Sequence, residues 1–408
     1  MRAKKIAIGI ILGAFFFYVF WLGIQILRFK RYGSEAGRKK EAVSLSVTAG
    51  SGQRIPTPSA YPPPYEIEGV YHLHSLYSDG RKSIDQIVRI ATEEGLDFLI
   101  LTDHGKPNFA ALNSQGWKSG VLLLAGSELS VSRGHLVGLG FRTPDPSTSF
   151  AQNAEEAACE IASLGGFTVI AHPYSKTSWS WGETSQYSGL EIIDADSTLR
   201  SHFLASLPYL PALLIKPEVA LLHMVDPPDR TMAKWDRLLG QGQMHAYFSV
   251  DAHYLYRAVF RVFHLHVLLD EPPSPSFEQA SAQVFGALRM GNFYSAVDAA
   301  AAAKGFRFWA EDSGKIWAMG SSISSSAEGA EKAKPLVFHV ETPFPFAFET
   351  RVIHDGKPVA RSREQNLSLE ADGPGPYRVE VYLREKSPLV ADCPWIVSNP
   401  IFLGKESR

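Results

Sequence analysis

Two histidines separated by one residue, His72 and His74, stand before a Ser-Leu-Tyr-Ser-Asp-Gly turn whose carboxylate is Asp79. In an extended segment residues two apart point the same way, so Val70 to Leu73 would aim both imidazoles at one point. Asp79 adds a hard oxygen donor from the turn, and the combination is metal-ligand chemistry. The same donor types recur downstream as Asp103-His104, Glu128, His172-Pro173 and Asp251-Ala-His253. Each alone has a plain structural use, such as capping a helix or filling a polar niche. Together they fall at the carboxyl ends of five strand-like runs, and ligands of parallel α/β folds gather at those ends.

The runs that must position these donors alternate with helical patterns. The sequence predicts a helix from Ser83 to Glu94 before a strand from Asp97 to Thr102, strands at Val121 to Ser127 and Leu136 to Phe141, and a helix from Asn153 to Leu164 before Phe167 to Ala171. Leu190 to Ile193 and Ala246 to Val250 complete the series. Such alternation predicts an α/β fold with parallel strands. After Tyr254 come a strand-like Val259 to Leu269, a proline break at Pro272 to Pro275 and a helix from Phe277 to Met290. From Phe306 onward strands and turns dominate, including Leu336 to Glu341, Phe348 to Ile353, a turn at His354-Asp355-Gly356-Lys357, and Tyr377 to Leu383. A small antiparallel β-sandwich fits this stretch, with a Ser/Ala/Gly-rich loop at Ser321 to Lys334.

Composition bounds the partners. The 408 residues are 45% hydrophobic and 20% charged, as in a globular protein, and the formal net charge of -2 gives no footing to a nucleic-acid binder that works through bulk charge. Cys159 and Cys393 are the only cysteines, in neither a zinc-ribbon spacing nor a disulfide framework. Ile6 to Leu27 is an apolar run without a charge, long enough to cross a bilayer, and nothing like Ala-x-Ala follows it, so it reads as an uncleaved membrane anchor. Six basic residues between Arg28 and Lys40 argue for a cytoplasmic body, and the basic tip Arg2, Lys4 and Lys5 for an extracytoplasmic one. We take the latter. Lys30 to Glu66 is polar and then proline-rich, which suits an extended spacer.

The motifs resemble those of the polymerase and histidinol phosphatase (PHP) superfamily. The matching stretches are His-Leu-His-Ser-Leu-Tyr-Ser-Asp-Gly at 72–80, Thr-Asp-His-Gly at 102–105, Gly-Ser-Glu at 126–128, Gly-His-Leu-Val-Gly-Leu-Gly at 134–140, Ala-His-Pro at 171–173 and Asp-Ala-His at 251–253. Trp235-Asp-Arg-Leu-Leu-Gly and Pro394-Trp-Ile-Val-Ser-Asn-Pro-Ile resemble a subgroup with an appended β-sandwich, some of whose members cleave carbamate esters. The resemblance implies a distorted (β/α)7 barrel with two or three divalent ions. Together with the apolar run and the spacer, it divides the chain into a membrane anchor at 1–29, a Pro-rich linker at 30–66, a metallohydrolase barrel at 67–300 and a β-sandwich at 301–408.

Carried over by position, His72, His74 and Asp251 would hold one ion, Glu128 would bridge to a second that His172 joins, and Asp79, His104 and His253 would surround a third or share in a two-metal site. Imidazole mixed with carboxylate suits zinc, manganese or iron(II). Family members commonly place a further ligand between the Glu128 and His172 positions; the only histidine in that interval is His135, a ligand or a substrate contact. The implied reaction is phosphoester hydrolysis, since water on such ions loses its proton near neutral pH and can attack phosphorus with no nucleophilic side chain. Lys106, Arg133 and Arg257 lie beside motif residues and could clamp a phosphate, and Asp103 could orient His104.

Two other readings stay open: a carboxylic or carbamate ester hydrolase on the same scaffold, and a membrane-anchored binding protein with a relic barrel. A nuclease is disfavoured, because neither a polymerase segment nor a basic groove accompanies the motifs. His264-Leu-His266 repeats the opening spacing without an Asp-Gly turn, and is read as structural, as are His202, His223 and His245.

Overall fold

The structure is a computed structural model that describes residues 13, 16–20, 65–175, 179, 187–196, 198, 215–324, 336–384, 389 and 391–404. The membrane span expected at Ile6 to Leu27 and the linker expected at 30–66 lie largely outside them, as do His202 and most of the loop expected at Ser321 to Lys334. Among the described residues no helix is long and apolar enough to cross a membrane.

The chain enters the fold through β1 (Tyr65–Leu73) and turns into the helix Ile84–Glu94. Ser83 and Gln86 form a capping box at its start, and Gly95 closes it at φ 76°, a left-handed conformation that glycine adopts without a Cβ clash. β2 (Phe98–Leu101) then runs parallel to β1, β3 (Gly116–Lys118) and β4 (Val121–Ala125) form a hairpin, and β4 runs parallel to β2. β4 ends before Gly126, a position where a Cβ would strike the Gly138 carbonyl. The expected single run from Val121 to Ser127 is therefore two strands in different sheets.

The second sheet takes β5 (Ser127–Val131), β6 (Gly134–Leu139), β7 (Phe167–Ala171), β8 (Gly189–Asp194) and β9 (His245–Ser249) in chain order. Its first two pairings are antiparallel and its last two parallel, so the expectation of parallel strands holds for only part of it. The helix Ala154–Ser163, capped by Asn153, connects β6 to β7. β10 (Phe263–Leu269) and β11 (Phe293–Val297) return to the first sheet, antiparallel to each other, with β10 antiparallel to β1. The strand expected from Val259 starts only at Phe263, because Tyr256–Val259 is a short helix. Helix Phe277–Met290, capped by Ser276, links β10 to β11 as the sequence predicts.

Beyond β11 the chain is β-rich. It contributes β12 (Arg307–Asp312), β13 (Lys315–Ala318), β14 (Ser322–Ile323), β15 (Val337–Glu341), β16 (Phe348–His354), β17 (Lys357–Ser362), β18 (Asn366–Glu370), β19 (Gly375–Leu383), β20 (Ile396–Ser398) and β21 (Ile401–Leu403). Strands β13, β12, β15 and β18 form a four-stranded antiparallel sheet. The others prolong the first sheet through β20, whose Val397 pairs with Ser295 of β11. Phe338 of β15 stacks on Tyr377 of β19 at 4.2 Å, so apolar faces of the two sheets meet.

These strand pairings do not close the expected distorted (β/α)7 barrel into one continuous ladder. Among the described residues, the two sheets of the α/β part are joined by short contacts and no shared ladder: the isolated bridges Leu73 to Ala252 and His104 to Glu128, with backbone bonds such as the Val250 N–H to the Tyr71 carbonyl (3.1 Å) and the Glu128 N–H to the Thr102 carbonyl (3.2 Å). The ladder fails where the backbone leaves strand geometry: His72 has φ 69° and Asp251 φ 38°, and the β1–β2 register slips between Tyr71 and Leu73. Alternation still sorts the side chains. Tyr71, Ile100, Leu124, Val137, Val169 and Leu265 fill the space between the sheets, while Val70, Leu99 and Leu123 face outward toward Ile87 and Ala91 of the first helix. Each buried large apolar side chain is worth about 1.5–3 kcal/mol, and this core fixes the strand ends that carry the polar residues.

Candidate metal centre

Glu128 is the hub. It is 1% exposed at the start of β5, where the turn at Gly126 has just redirected the chain. Its Oε1 lies 2.7 Å from His135 Nδ1 and 2.9 Å from His172 Nε2; its Oε2 lies 3.2 Å from the Nε2 atoms of His72 and His74 and 3.4 Å from His104 Nδ1. Asp251, just beyond β9, brings Oδ1 to 3.2 Å from His74 Nε2 and 3.4 Å from His72 Nε2. Asp79 closes the outer side, its Oδ2 3.2 Å from His253 Nε2 and 3.7 Å from His104 Nε2. All eight residues expected as ligands thus meet in one pocket, and His135 joins them.

The donors fall into three overlapping groups, each with its ligand atoms within 4.8 Å of one another: His72, His74, Glu128 and Asp251; Glu128, His135 and His172; His74, Asp79, His104 and His253. Four of the atoms, His74 Nε2, His104 Nδ1, His135 Nδ1 and Asp251 Oδ1, are buried without a hydrogen bond. Buried nitrogen and oxygen atoms are costly to leave unmatched, and a cation at their common focus would match them. The residues present therefore fit divalent ions.

His72 and His74 converge for a reason other than strand alternation. His74 lies past the end of β1, and His72 sits in the left-handed region at φ 69°, as Asp251 does at 38° and His172 at 22°. Such backbone costs about 1–3 kcal/mol per residue and persists where the surroundings over-determine it. The turn after His74 is held by Asp103, whose carboxylate accepts from the Ser75 N–H (2.7 Å), the Ser75 hydroxyl (2.8 Å) and the Ser78 hydroxyl (2.6 Å). Asp103 thus braces the turn that carries Asp79 instead of orienting His104. Gly80 is needed because a Cβ would collide with the His74 carbonyl.

Glu191, which sequence reasoning missed, orients the pocket from beneath. Buried in β8, it places Oε1 2.6 Å from His72 Nδ1, while Oε2 accepts from the His172 N–H (2.8 Å) and the Ser249 hydroxyl (3.0 Å). With Nδ1 committed to Glu191, His72 turns Nε2 toward Glu128 and Asp251, as carboxylates behind ligating histidines do. The only local signal was a glutamate inside the apolar run Gly-Leu-Glu-Ile-Ile.

The electrostatics are those of a cation trap. Burial alone would depress the imidazole of His72, but Glu191, Asp251 and Glu128 hold its pKa well above the ordinary value. The same contest raises His74 to about 9, through Asp251 and Glu128, and His172 to about 10, through Glu128. Burial would raise Glu128 and Asp251, yet the histidines, His72 foremost, hold both carboxyls well below their usual range. At the mouth, with His104 32% and Asp79 55% exposed, burial and the neighbouring His74 and His135 outweigh Glu128 and lower His104.

The basic residues proposed as a phosphate clamp are dispersed. Lys106 donates to Gln152, Arg257 is engaged by Glu93 and Glu94 of the first helix, and Arg133 is exposed on the turn between β5 and β6. A cleft does open beside His172, lined by Tyr174, Ser175, Asp194, Asp226, Arg230 and Thr231. Arg230 lies over the Tyr174 ring at 3.7 Å, a cation placed next to the donor pocket that the sequence did not single out. His245 and His223 stand apart: burial pushes His245 down to about 4, and His223 Nδ1 lies 2.8 Å from the Val219 carbonyl.

No family model matches the chain, and no curated protein matches it. Among solved structures, it is similar to a two-domain protein from Bacteroides vulgatus described as containing a predicted PHP-like metal-dependent phosphoesterase, at 14% identity and TM-score 0.40 over 87% of this chain and 100% of that one. PsfC from Pseudomonas syringae follows at 15% identity and TM-score 0.35, over 54% of this chain and 88% of that one. A protein from Bifidobacterium adolescentis described as a metal-dependent phosphoesterase has 12% identity and TM-score 0.29, over 45% and 87% of the two chains. At these TM-scores the functional assignment rests on the pocket's own residues.

Proposed function

We propose that this chain is a metal-dependent hydrolase of the PHP type acting on a phosphoester of small or medium size. The observation that carries the reading is Glu128, whose two oxygens face five imidazoles: His72 and His74 from the end of β1, His104 beyond β2, His135 from the start of β6 and His172 beyond β7. A carboxylate shared between two donor groups is what a multinuclear site requires. His72, His74, Asp251 and Glu128 would hold one ion, Glu128, His135 and His172 a second, and Asp79, His104 and His253, with His74, a third. Zinc, manganese or iron bound there supplies Lewis acidity toward phosphoryl oxygens and lowers the pKa of water toward neutrality. Glu191 keeps the His72 tautomer fixed, Asp103 keeps Asp79 at the open side, and Arg230 offers a guanidinium to a phosphate entering past His172.

A metal-reconstituted substrate panel with a His74→Ala control tests this reading. Turnover of a phosphate mono- or diester, lost in the control, is expected. Turnover of aryl or carbamate esters with none of phosphoesters would move the assignment to an ester hydrolase; no bound metal and no turnover would leave the binding-protein reading. We also infer an N-terminal membrane anchor with an extracytoplasmic body. The uncharged run Ile6 to Leu27 supports it, and residues 16–20 are helical with Phe16, Phe17 and Phe20 exposed. Protease access to the Pro-rich spacer in intact cells tests the orientation.

A further inference from the structure

A second gathering of imidazole and carboxylate lies on the other face of the first sheet. His264 and His266 are two residues apart within the regular part of β10, so both project to one face, and the register places Glu68 of β1 opposite His266. Asp298 follows β11 immediately. His264 Nδ1 lies 2.5 Å from Glu68 Oε1 and 3.6 Å from Asp298 Oδ2, and His266 Nε2 lies 2.9 Å from the same Asp298 oxygen. The four ligand atoms all fall within 4.8 Å of one another. Around a tetrahedral ion with bonds of about 2.0–2.2 Å, donors stand roughly 3.3 Å apart, so small adjustments would suffice.

The far sides of both rings are arranged as ligating histidines require. His266 Nδ1 meets Glu66 Oε1 at 2.9 Å, and His264 Nε2 meets the Phe260 carbonyl at 2.5 Å. Each ring thus has one nitrogen committed outward and the other turned into the cluster. His264 Nδ1 is buried inside the cluster, with the Glu68 oxygen as its near neighbour. Glu66 is itself fixed by the Tyr294 hydroxyl (2.5 Å), the Gly305 N–H (3.0 Å) and Arg307 (2.7 Å), and His266 stacks on Tyr294 at 4.5 Å. Charge points the same way. With both imidazoles neutral, as ligation requires, Glu66, Glu68 and Asp298 exceed Arg307 by two negative charges, which one divalent cation would cancel; without it the same carboxylates favour protonated His264 and His266.

We propose that Glu68, His264, His266 and Asp298 form a second metal site, separate from the Glu128 pocket, for a zinc-class divalent cation. Four protein donors leave no open position, which marks a structural site and not a catalytic one. The ion would tie β1 and β10 to the segment 298–307, where the chain passes from the α/β part into the β-rich part.

Anomalous diffraction from zinc-saturated crystals of the full chain tests this directly. A zinc peak between Glu68 and His264 is expected, and no peak there would overturn the proposal whatever the Glu128 pocket holds. In solution, His264→Gln should lower bound zinc by one equivalent, whereas Asp251→Asn should leave that equivalent in place. An unchanged zinc count in folded His264→Gln protein would also overturn it. Should that variant not fold, the wild-type crystals decide.

Discussion

His72/His74 on β1 and His264/His266 on β10 share a spacing, a sheet and a wealth of carboxylates, yet they are built for different tasks. The β10 pair lies inside a regular strand, on one pleat face, and is walled in by Glu68 and Asp298. The β1 pair straddles a strand end, where His72 at φ 69° abandons the pleat and the donors spill toward a mouth formed by His104 and Asp79. Spacing supplies a pair of ligands in both places. Position along the strand decides whether a substrate can reach them, because a strand end opens onto loops and a strand middle does not.

The largest expected effect is at the open cluster. Replacing Glu128 by Gln removes the charge shared between two donor groups, and phosphoesterase activity of metal-loaded protein should fall by more than the roughly 10–100-fold typical of residues behind the ligands, with lower bound metal by mass spectrometry. Retention of both would mean that Glu128 is not the bridge. Next comes a histidine with no carboxylate near it among the described residues, which supplies the baseline for both clusters. Burial holds His245 at about 4 when folded, below the ordinary 6.5, so the folded state resists its protonation. Its contribution is complete above pH 6.5 and is lost as pH falls toward 4, by up to about 3 kcal/mol. Denaturant titrations across that window should show the loss and His245→Gln should flatten it; identical profiles would remove His245 as the cause.

Glu191→Gln sharpens the comparison from beneath the pocket. Metal affinity should drop about 10–100-fold with the circular dichroism of the wild type retained, as for other carboxylates behind ligating histidines. Wild-type affinity would show that Glu191 only packs. The smallest effect belongs to Arg257, half-exposed and paired with Glu93 and Glu94. Arg257→Ala should cost less than about 1 kcal/mol and leave turnover unaltered. A large loss of turnover would restore it to the site.

Much of this was legible because the signals are local. The helices expected from Ser83, Asn153 and Phe277 formed where local pattern placed them, with Ser83, Asn153 and Ser276 capping them through chemistry confined to one turn, and the Asp-Gly pair announced the turn after His74. Much of the ligand set could be read because His72, His104, Glu128, His172 and Asp251 stand at or just beyond the ends of apolar runs. What stayed hidden depends on pairings distant in the chain. Glu191 meets His72 across 119 residues and Glu66 meets His266 across 200, and neither glutamate has a local pattern that sets it apart. The break at Gly126 was hidden too, since the carbonyl that forbids a side chain there belongs to Gly138. The left-handed backbone of His72 and Asp251 contradicts local propensity, so only the packed surroundings could disclose it.

The pairing of β20 with β11 has a consequence for how the molecule comes apart. Because Ile396, Val397 and Ser398 complete the ladder that runs through β11, β10 and β1, neither half can melt without stripping a hydrogen-bonded edge from the other. Heat should therefore take both halves through one cooperative transition, with equal calorimetric and van't Hoff enthalpies, and two resolved peaks would show them to be thermally independent. Cleavage in the segment 298–307 would then leave fragments joined by their shared sheet, and separating them would need denaturant, not dilution alone.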